Sequence, residues 1–463
     1  MQRLRTIALV LLVLLLPWGG KASAYSLLTH EQLIDLTWHD SIVPLLLSHY
    51  PGLTPADLER ARAYAYGGCV IQDIGYYPFG DVAYSDLTHY VRSGDFVVNL
   101  LRDARNANEL AFAVGALSHY IGDSVGHAEA INLAVPVEFP KLRARYGPVV
   151  NYAQGERQHV QTEFAFDINE IAHHRMAPVH YLRHIGLEVP VQLLALAFYQ
   201  TYGLNEDFTA RRGRRVNVNA YRFAVREFIP RLAYAVTLLK RRREPADPNT
   251  PEALQMEKEA DRVATENDWQ AYRRKAGIGT YMLAGLLFVL PKIGPLKMVD
   301  VKGPTEATEA AYIHSVALST AELRRSLERF TPPSATRPGG ANLVARAATA
   351  GQANQALSDP LHPLPNRDLD TGRVVQPGGY SLTDATYARL LHSLTRQPNE
   401  PIPPGIKADI QAYYANPDAP ITTKKDSQQW AQVQADLVTL GPMPTSAEPP
   451  PYPTYGDHAD GGQ

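Results

Sequence analysis

The sequence predicts a mostly α-helical chain, and three observations predict it. Apolar residues recur at three- and four-residue intervals, as in Leu110, Ala113, Val114 and Leu117, which sets them on one side of a helix. Helix-start signals stand ahead of such runs: Thr29 with Gln32, and Thr54 followed by Pro55. No region alternates apolar and polar residues over many strands, so helix packed on helix is the simplest architecture.

Met1 to Ala24 reads as a secretory signal. Arg3 and Arg5 form its positive start, Ile7 to Leu16 is unbroken apolar, and Ala22-Ser23-Ala24 supplies small residues for cleavage. Its loss removes three cations and moves the formal charge from −2 to −5. With 45 Lys plus Arg against 47 Asp plus Glu there is no basic excess of the kind a nucleic-acid footprint requires. The single cysteine, Cys69, excludes an intramolecular disulfide. It reads as a small buried hydrophobe in Tyr-Gly-Gly-Cys-Val.

Residues 25–245 read as one helical domain, with helices after Thr29, from Thr54-Pro55, over Asn108–Ala130 and over Gln158–His174. Residues 246–330 form a helical extension. Within it, 276–291 is uncharged and apolar, about four residues short of the roughly 20 a membrane-spanning helix needs. It reads as a buried helix, with peripheral membrane contact as the alternative. Residues 331–380, rich in Pro, Gly and Ala, read as a linker. A small helical region over 381–445 and a disordered tail over 446–463 complete the chain.

The chemistry gathers in His119-Tyr-Ile-Gly-Asp123-Ser-Val-Gly-His127. Each four-residue step turns a helix only about 40° past a full turn, so the three side chains share one face. Two imidazoles and a carboxylate in register suit zinc and are costly to bury in an apolar helix without a metal or partners. His159 and Glu163 repeat the four-residue spacing on a second helix. Asp73 sits among apolar and Gly residues in Ile71-Gln-Asp-Ile-Gly75, His89 follows in Asp86-Leu-Thr-His-Tyr90, and His30 begins the first helix. Eight candidate ligands exceed the needs of one tetrahedral zinc, and two or three ions fit them. Closely spaced metals suit phosphate-ester hydrolysis.

In order and spacing these residues resemble the zinc-dependent phospholipase C family. That superfamily also holds zinc-dependent single-strand nucleases and the catalytic domain of glycosylphosphatidylinositol-specific phospholipase D. The resemblance covers Tyr25 to Arg183 and reaches toward Arg243. It implies a helical phospholipase C/nuclease-like domain, here with a carboxy-terminal helical and irregular extension. It implies one zinc on Asp73, His89, His119 and Asp123. A second would sit on the free amino terminus of Tyr25 and on His30, with Asp123 bridging, and a third, more exposed, on His127, His159 and Glu163. Two departures stand out. Tyr25 replaces the usual amino-terminal Trp, and the short step from Asp123 to His127 resembles the phospholipase D branch.

The expected activity is exported, zinc-dependent hydrolysis of phospholipids, with water activated at the metals and oriented or deprotonated by Asp73. The alternatives are phospholipase D-type cleavage, a single-strand nuclease on the same ions, or a non-catalytic metal-binding surface protein. The aromatic residues Tyr76, Tyr77, Phe79 and Tyr84 read first as packing and second as a headgroup cage. His39, His49, His173, His174, His180, His184, His314, His362, His392 and His458 match no position of the motif.

Overall fold

The computed structural model describes residues 26–77, 80–176, 187–208, 218–223, 225, 229–240, 249–266, 278–289, 301–331 and 363–447. Tyr25, Phe79, the secretory signal, residues 332–362 of the expected linker and the tail from 448 lie outside them. The described residues are mostly helical and almost without strand, as the sequence predicts.

The first helix, α1 (Leu27–Thr37), begins three residues earlier than its sequence signal, with Ser26 rather than Thr29 extended at the cap. Thr29 lies inside the helix. Its hydroxyl donates to Asp167 at 2.8 Å, and Gln32 donates to the Arg175 carbonyl at 2.9 Å. Both side chains are taken by distant partners, which removes the local capping box. A π turn, Trp38–Ile42, leads to α2 (Val43–His49). The next start signal works locally: Thr54 caps α3 (Pro55–Gly68) with a reciprocal bond to Asp57 and Pro55 in the first turn.

A 3-10 turn at Gln72–Gly75 precedes α4 (Val82–Tyr90), α5 (Ser93–Asp103) and the 20-residue α6 (Ala107–Gly126). A π turn, His127–Ile131, continues α6 into α7 (Asn132–Glu138). Then follow α8 (Pro140–Tyr146), α9 (Tyr152–Ala172) and α10 (Val191–Tyr202). Helices α11 (Val218–Phe223), α12 (Ile229–Lys240), α13 (Pro251–Glu266), α14 (Ile278–Val289) and α15 (Glu306–Phe330) complete the first two thirds.

Helices α3 and α6 cross at glycine. A Cβ on Gly68 would lie 2.0 Å from the Phe112 carbonyl oxygen, and one on Gly115 2.2 Å from that of Ala65. Only bare backbone allows this approach. Its consequence is local to the site: the chain leaving α3 is held on α6 by Gln72 Nε2, which donates to the Ala116 carbonyl at 2.9 Å.

Part of the Pro/Gly-rich stretch is folded against this domain. Residues Arg367–Asp368 (β1) and Arg373–Val374 (β2) pair antiparallel, the single sheet of the described residues. Three helices follow: α16 (Ser381–Thr395), α17 (Pro404–Tyr413) and α18 (Ser427–Leu440). They share one apolar core with the amino-terminal helices, running from Leu27 to Met443. Arg389 of α16 also pairs with the buried Asp86 of α4.

Helix α14 is the apolar segment. Leu283, Ala284 and Leu287 are buried, whereas Ile278, Tyr281, Met282, Phe288 and Val289 face outward. Among the described residues no helix is long and apolar enough to cross a membrane.

Candidate metal centre

Four atoms from three places in the chain converge beside α6. His119 and Asp123 stand one turn apart on that helix, and His119 Nε2 lies 3.2 Å from Asp123 Oδ2. His89, from the end of α4, places Nε2 at 3.3 Å from Asp123 Oδ2 and 3.5 Å from His119 Nε2. Asp73, from the 3-10 turn, places Oδ1 at 3.3 Å from His89 Nε2 and 3.9 Å from His119 Nε2. Two ligands bound to a tetrahedral zinc at about 2.0–2.2 Å stand about 3.3–3.6 Å apart. Four of these five separations fall within or a tenth of an ångström below that span, and the fifth lies 0.3 Å above it.

The histidines are turned for the purpose. His89 Nδ1 donates to the Ser85 carbonyl at 2.7 Å, and His119 Nδ1 to the Cys69 carbonyl at 3.0 Å. Each bond turns Nε2 toward the cluster, where its lone pair would face a metal, the arrangement that fixes tautomer and ring direction in metal sites. Asp123 reaches the other way with its second oxygen, Oδ1 lying 3.2 Å from His30 Nε2. The His30 ring is stacked on His119 with centroids 4.2 Å apart. Two groups of side chains, Asp73–His89–His119 and His30–His119–Asp123, are close enough to hold an ion.

A third set lies toward α9. His127 opens the π turn, and its ring centre is 6.0 Å from that of His159. His159 Nδ1 faces the Gly155 carbonyl at 3.0 Å, and Nε2 meets Asn132 Oδ1 at 3.0 Å. Among the described residues no ion pair joins Glu163 to either histidine. The carboxylate closest to His127 is Asp370, whose Oδ1 lies 3.5 Å from His127 Nε2. The greater exposure implied for this set is absent. His127 and His159 are 0 % exposed and Glu163 is 3 %, because residues 363–380 cover this end of α6.

Asp370 was missed by the sequence reading, which placed it in a linker. Its only local signal is Asp368-Leu-Asp-Thr-Gly372, two alternating carboxylates before a glycine.

Burial dominates the electrostatics. It lowers His127 to about 3 and His159 to about 4, and with His119 it lowers His30. Burial also acts to lower His89, but Asp123 and Asp73 outweigh it and hold its pKa well above the ordinary value. At Asp123 burial is in turn overcome by His119, His30 and His89, which hold the carboxyl well below its usual range. Glu163 is pushed well above by burial and then by Asp123, Asp73 and Asp370, and Asp370 rises to about 6. No lysine or arginine of the described residues pairs with Asp73, Glu163 or Asp370. Buried carboxylates without such partners, beside imidazole lone pairs, are the donor set of a metal cation.

The residues matched to a known family frame this geometry. The family described as zinc dependent phospholipase C matches over residues 29–204. No curated protein and no solved structure matches the chain. The matched residues include His30, Asp73, His89, His119, Asp123, His127, His159 and Glu163, and exclude Asp370.

Other expected residues take structural places. Cys69 is fully buried, its thiol donates to the Tyr66 carbonyl at 3.4 Å, and burial pushes its pKa well above normal, which leaves it inert as a nucleophile. Tyr76 donates to Asp86 at 3.1 Å, and Tyr84 packs on Phe198 and Phe208.

Proposed function

We propose that the chain is an exported zinc-dependent phosphodiesterase that hydrolyses phospholipids by attack of water on phosphorus. The observation that carries this reading is the four-atom arrangement of Asp73, His89, His119 and Asp123, with edges of 3.2–3.9 Å and no lysine or arginine of the described residues at Asp73. Those four residues would hold one ion. The Tyr25 amine, freed by cleavage after Ala24, and His30 would hold a second together with Asp123, and His127, His159 and Glu163 would hold a third.

Zinc, when bound, supplies a polarised water at neutral pH and positive charge against the phosphate oxygens. The chain's own residues set the frame. Ser85 and Cys69 carbonyls keep His89 and His119 in one tautomer, so neither ring needs to reorient. Asp73, whose Oδ1 faces His89 and His119, would orient the water or take its proton beside the ion that it helps to hold. Tyr76, 5.2 Å from the His89 ring centre, keeps bulk water from that side.

The test is an assay of zinc-loaded protein against phosphatidylcholine, phosphatidylinositol and single-stranded DNA. Diacylglycerol released from either lipid supports the proposal. Phosphatidic acid would move the assignment to D-type cleavage, and cut DNA with intact lipid to a nuclease. Bound zinc without turnover of any of the three would leave a metal-binding protein and end the proposal.

A further inference from the structure

We infer that Asp370 is a ligand of the ion held at His127, so that the metal centre is completed by a segment outside the matched family region. This rests on the zinc-dependent reading above and adds to it a residue from the carboxy-terminal part of the chain.

The argument begins with how Asp370 is held. The hairpin β1–β2 turns at Asp368, whose carboxylate accepts from the Asp370 amide at 3.0 Å and the Thr371 hydroxyl at 2.9 Å. The turn is docked onto the centre from three sides. The Leu369 amide donates to the carbonyl of His89 at 3.1 Å, Asn132 Nδ2 donates to the Asp370 carbonyl at 2.8 Å, and Gly372 rests on Ser124 of α6. Tyr90 and Tyr380 then donate to Asp370 Oδ2, at 2.8 and 2.7 Å. Three helices, α4, α6 and α7, and the Tyr380 loop thus fix a carboxylate that is 0 % exposed.

Its other oxygen is left over. Asp370 Oδ1 makes no hydrogen bond, and neither nitrogen of the buried His127 makes one. Oδ1 and His127 Nε2 face each other at 3.5 Å. A hydrogen bond between them would close to about 2.7–3.2 Å, whereas two ligands of one tetrahedral zinc stand about 3.3–3.6 Å apart. The separation matches those measured among Asp73, His89, His119 and Asp123. A structural carboxylate would need only the two tyrosines. Holding it so that one oxygen remains bare against a bare imidazole, with the His159 ring centre 6.0 Å from that of His127, is what an ion at that point requires.

The experiment compares the full-length wild-type protein with Asp370→Asn, dialysed against a series of buffered free-zinc concentrations, with zinc per chain measured by elemental analysis. The variant should lose one equivalent, and only one, at free zinc that still saturates the wild type. In excess chelator the two should melt alike, or the variant higher, since it lacks a buried charge. Zinc should then raise the wild type's melting temperature further. Equal zinc content at every concentration would overturn the inference and leave the proposed function standing. Equal destabilisation of both the chelated and the loaded protein would assign Asp370 a purely structural role. A wild-type chain that takes up no zinc would end both readings. Should Asp370→Asn fail to fold, zinc anomalous diffraction from the wild type decides. An ion within about 2.2 Å of Asp370 Oδ1 supports the assignment, and an ion on His127 beyond about 3 Å from it refutes it.

Discussion

Gly372→Ala tests whether the carboxy-terminal hairpin is pressed onto the metal-bearing helix. Gly372 has φ 69°, and a Cβ there would lie 2.2 Å from the Ser124 carbonyl oxygen. The left-handed conformation costs a residue with a Cβ about 1–2 kcal/mol. Restoring an ordinary contact of about 3.5 Å requires the hairpin to move by more than about 1 Å. Asp370 is two residues away, and its bonds from Tyr90 and Tyr380 are 2.8 and 2.7 Å long. Such bonds weaken beyond about 3.0 Å, and each bond to a charged group is worth about 1.5–3 kcal/mol. Loss of one gives a total of about 2.5–5 kcal/mol. The control is Gly52→Ala, because Gly52 has φ 93° and nothing within 4 Å of its Cβ position; it carries the conformational cost alone. Urea midpoints of the two variants in chelator measure the difference. Should Gly372→Ala prove no more destabilising than Gly52→Ala, the hairpin is not pressed on α6 as described.

Asp123→Ala should remove more than one zinc, because its two oxygens face His30 on one side and His89 and His119 on the other; elemental analysis showing loss of a single ion would contradict the bridging role. Asp167, bonded to Thr29, is raised by burial to about 6 from 3.8. Its folded-state pKa exceeds the unfolded value, so the stability it contributes is full below about 4 and is lost as pH rises through 6. Relative to Asp167→Asn, the chelated wild type should lose about 3 kcal/mol between about pH 4 and pH 7.5, and parallel urea-midpoint curves would exclude it. Phe288 and Val289 stand 78 % and 79 % exposed on α14; replacing both with Ser should leave folding unchanged and weaken vesicle binding if that face meets lipid. Full vesicle retention by the folded variant would discard the membrane role.

The contrast between His119–Asp123 and Asp370 shows what a sequence of this kind discloses. A four-residue step on a helix determines its own geometry, so the pair is visible without knowledge of any other element. The capping box at Thr54 and Asp57 is local in the same sense. Thr29 and Gln32 carry an equivalent pattern, but Asp167 and Arg175 compete for the same side chains, and only the folded chain reveals which partner prevails. His127 is the intermediate case. Its register with Asp123 is readable, but it opens a π turn in which the Asn132 amide reaches back to the His127 carbonyl. The extra residue in that turn aims Asn132 at both His159 and the Asp370 carbonyl. One local irregularity therefore joins α9 and the hairpin to the end of α6. Asp370 has no partner within a helical turn of itself that marks it as a ligand, and its meaning arises only where the hairpin docks. If it does bind the ion at His127, the carboxy-terminal region cannot be removed as an accessory without dismantling the centre it covers.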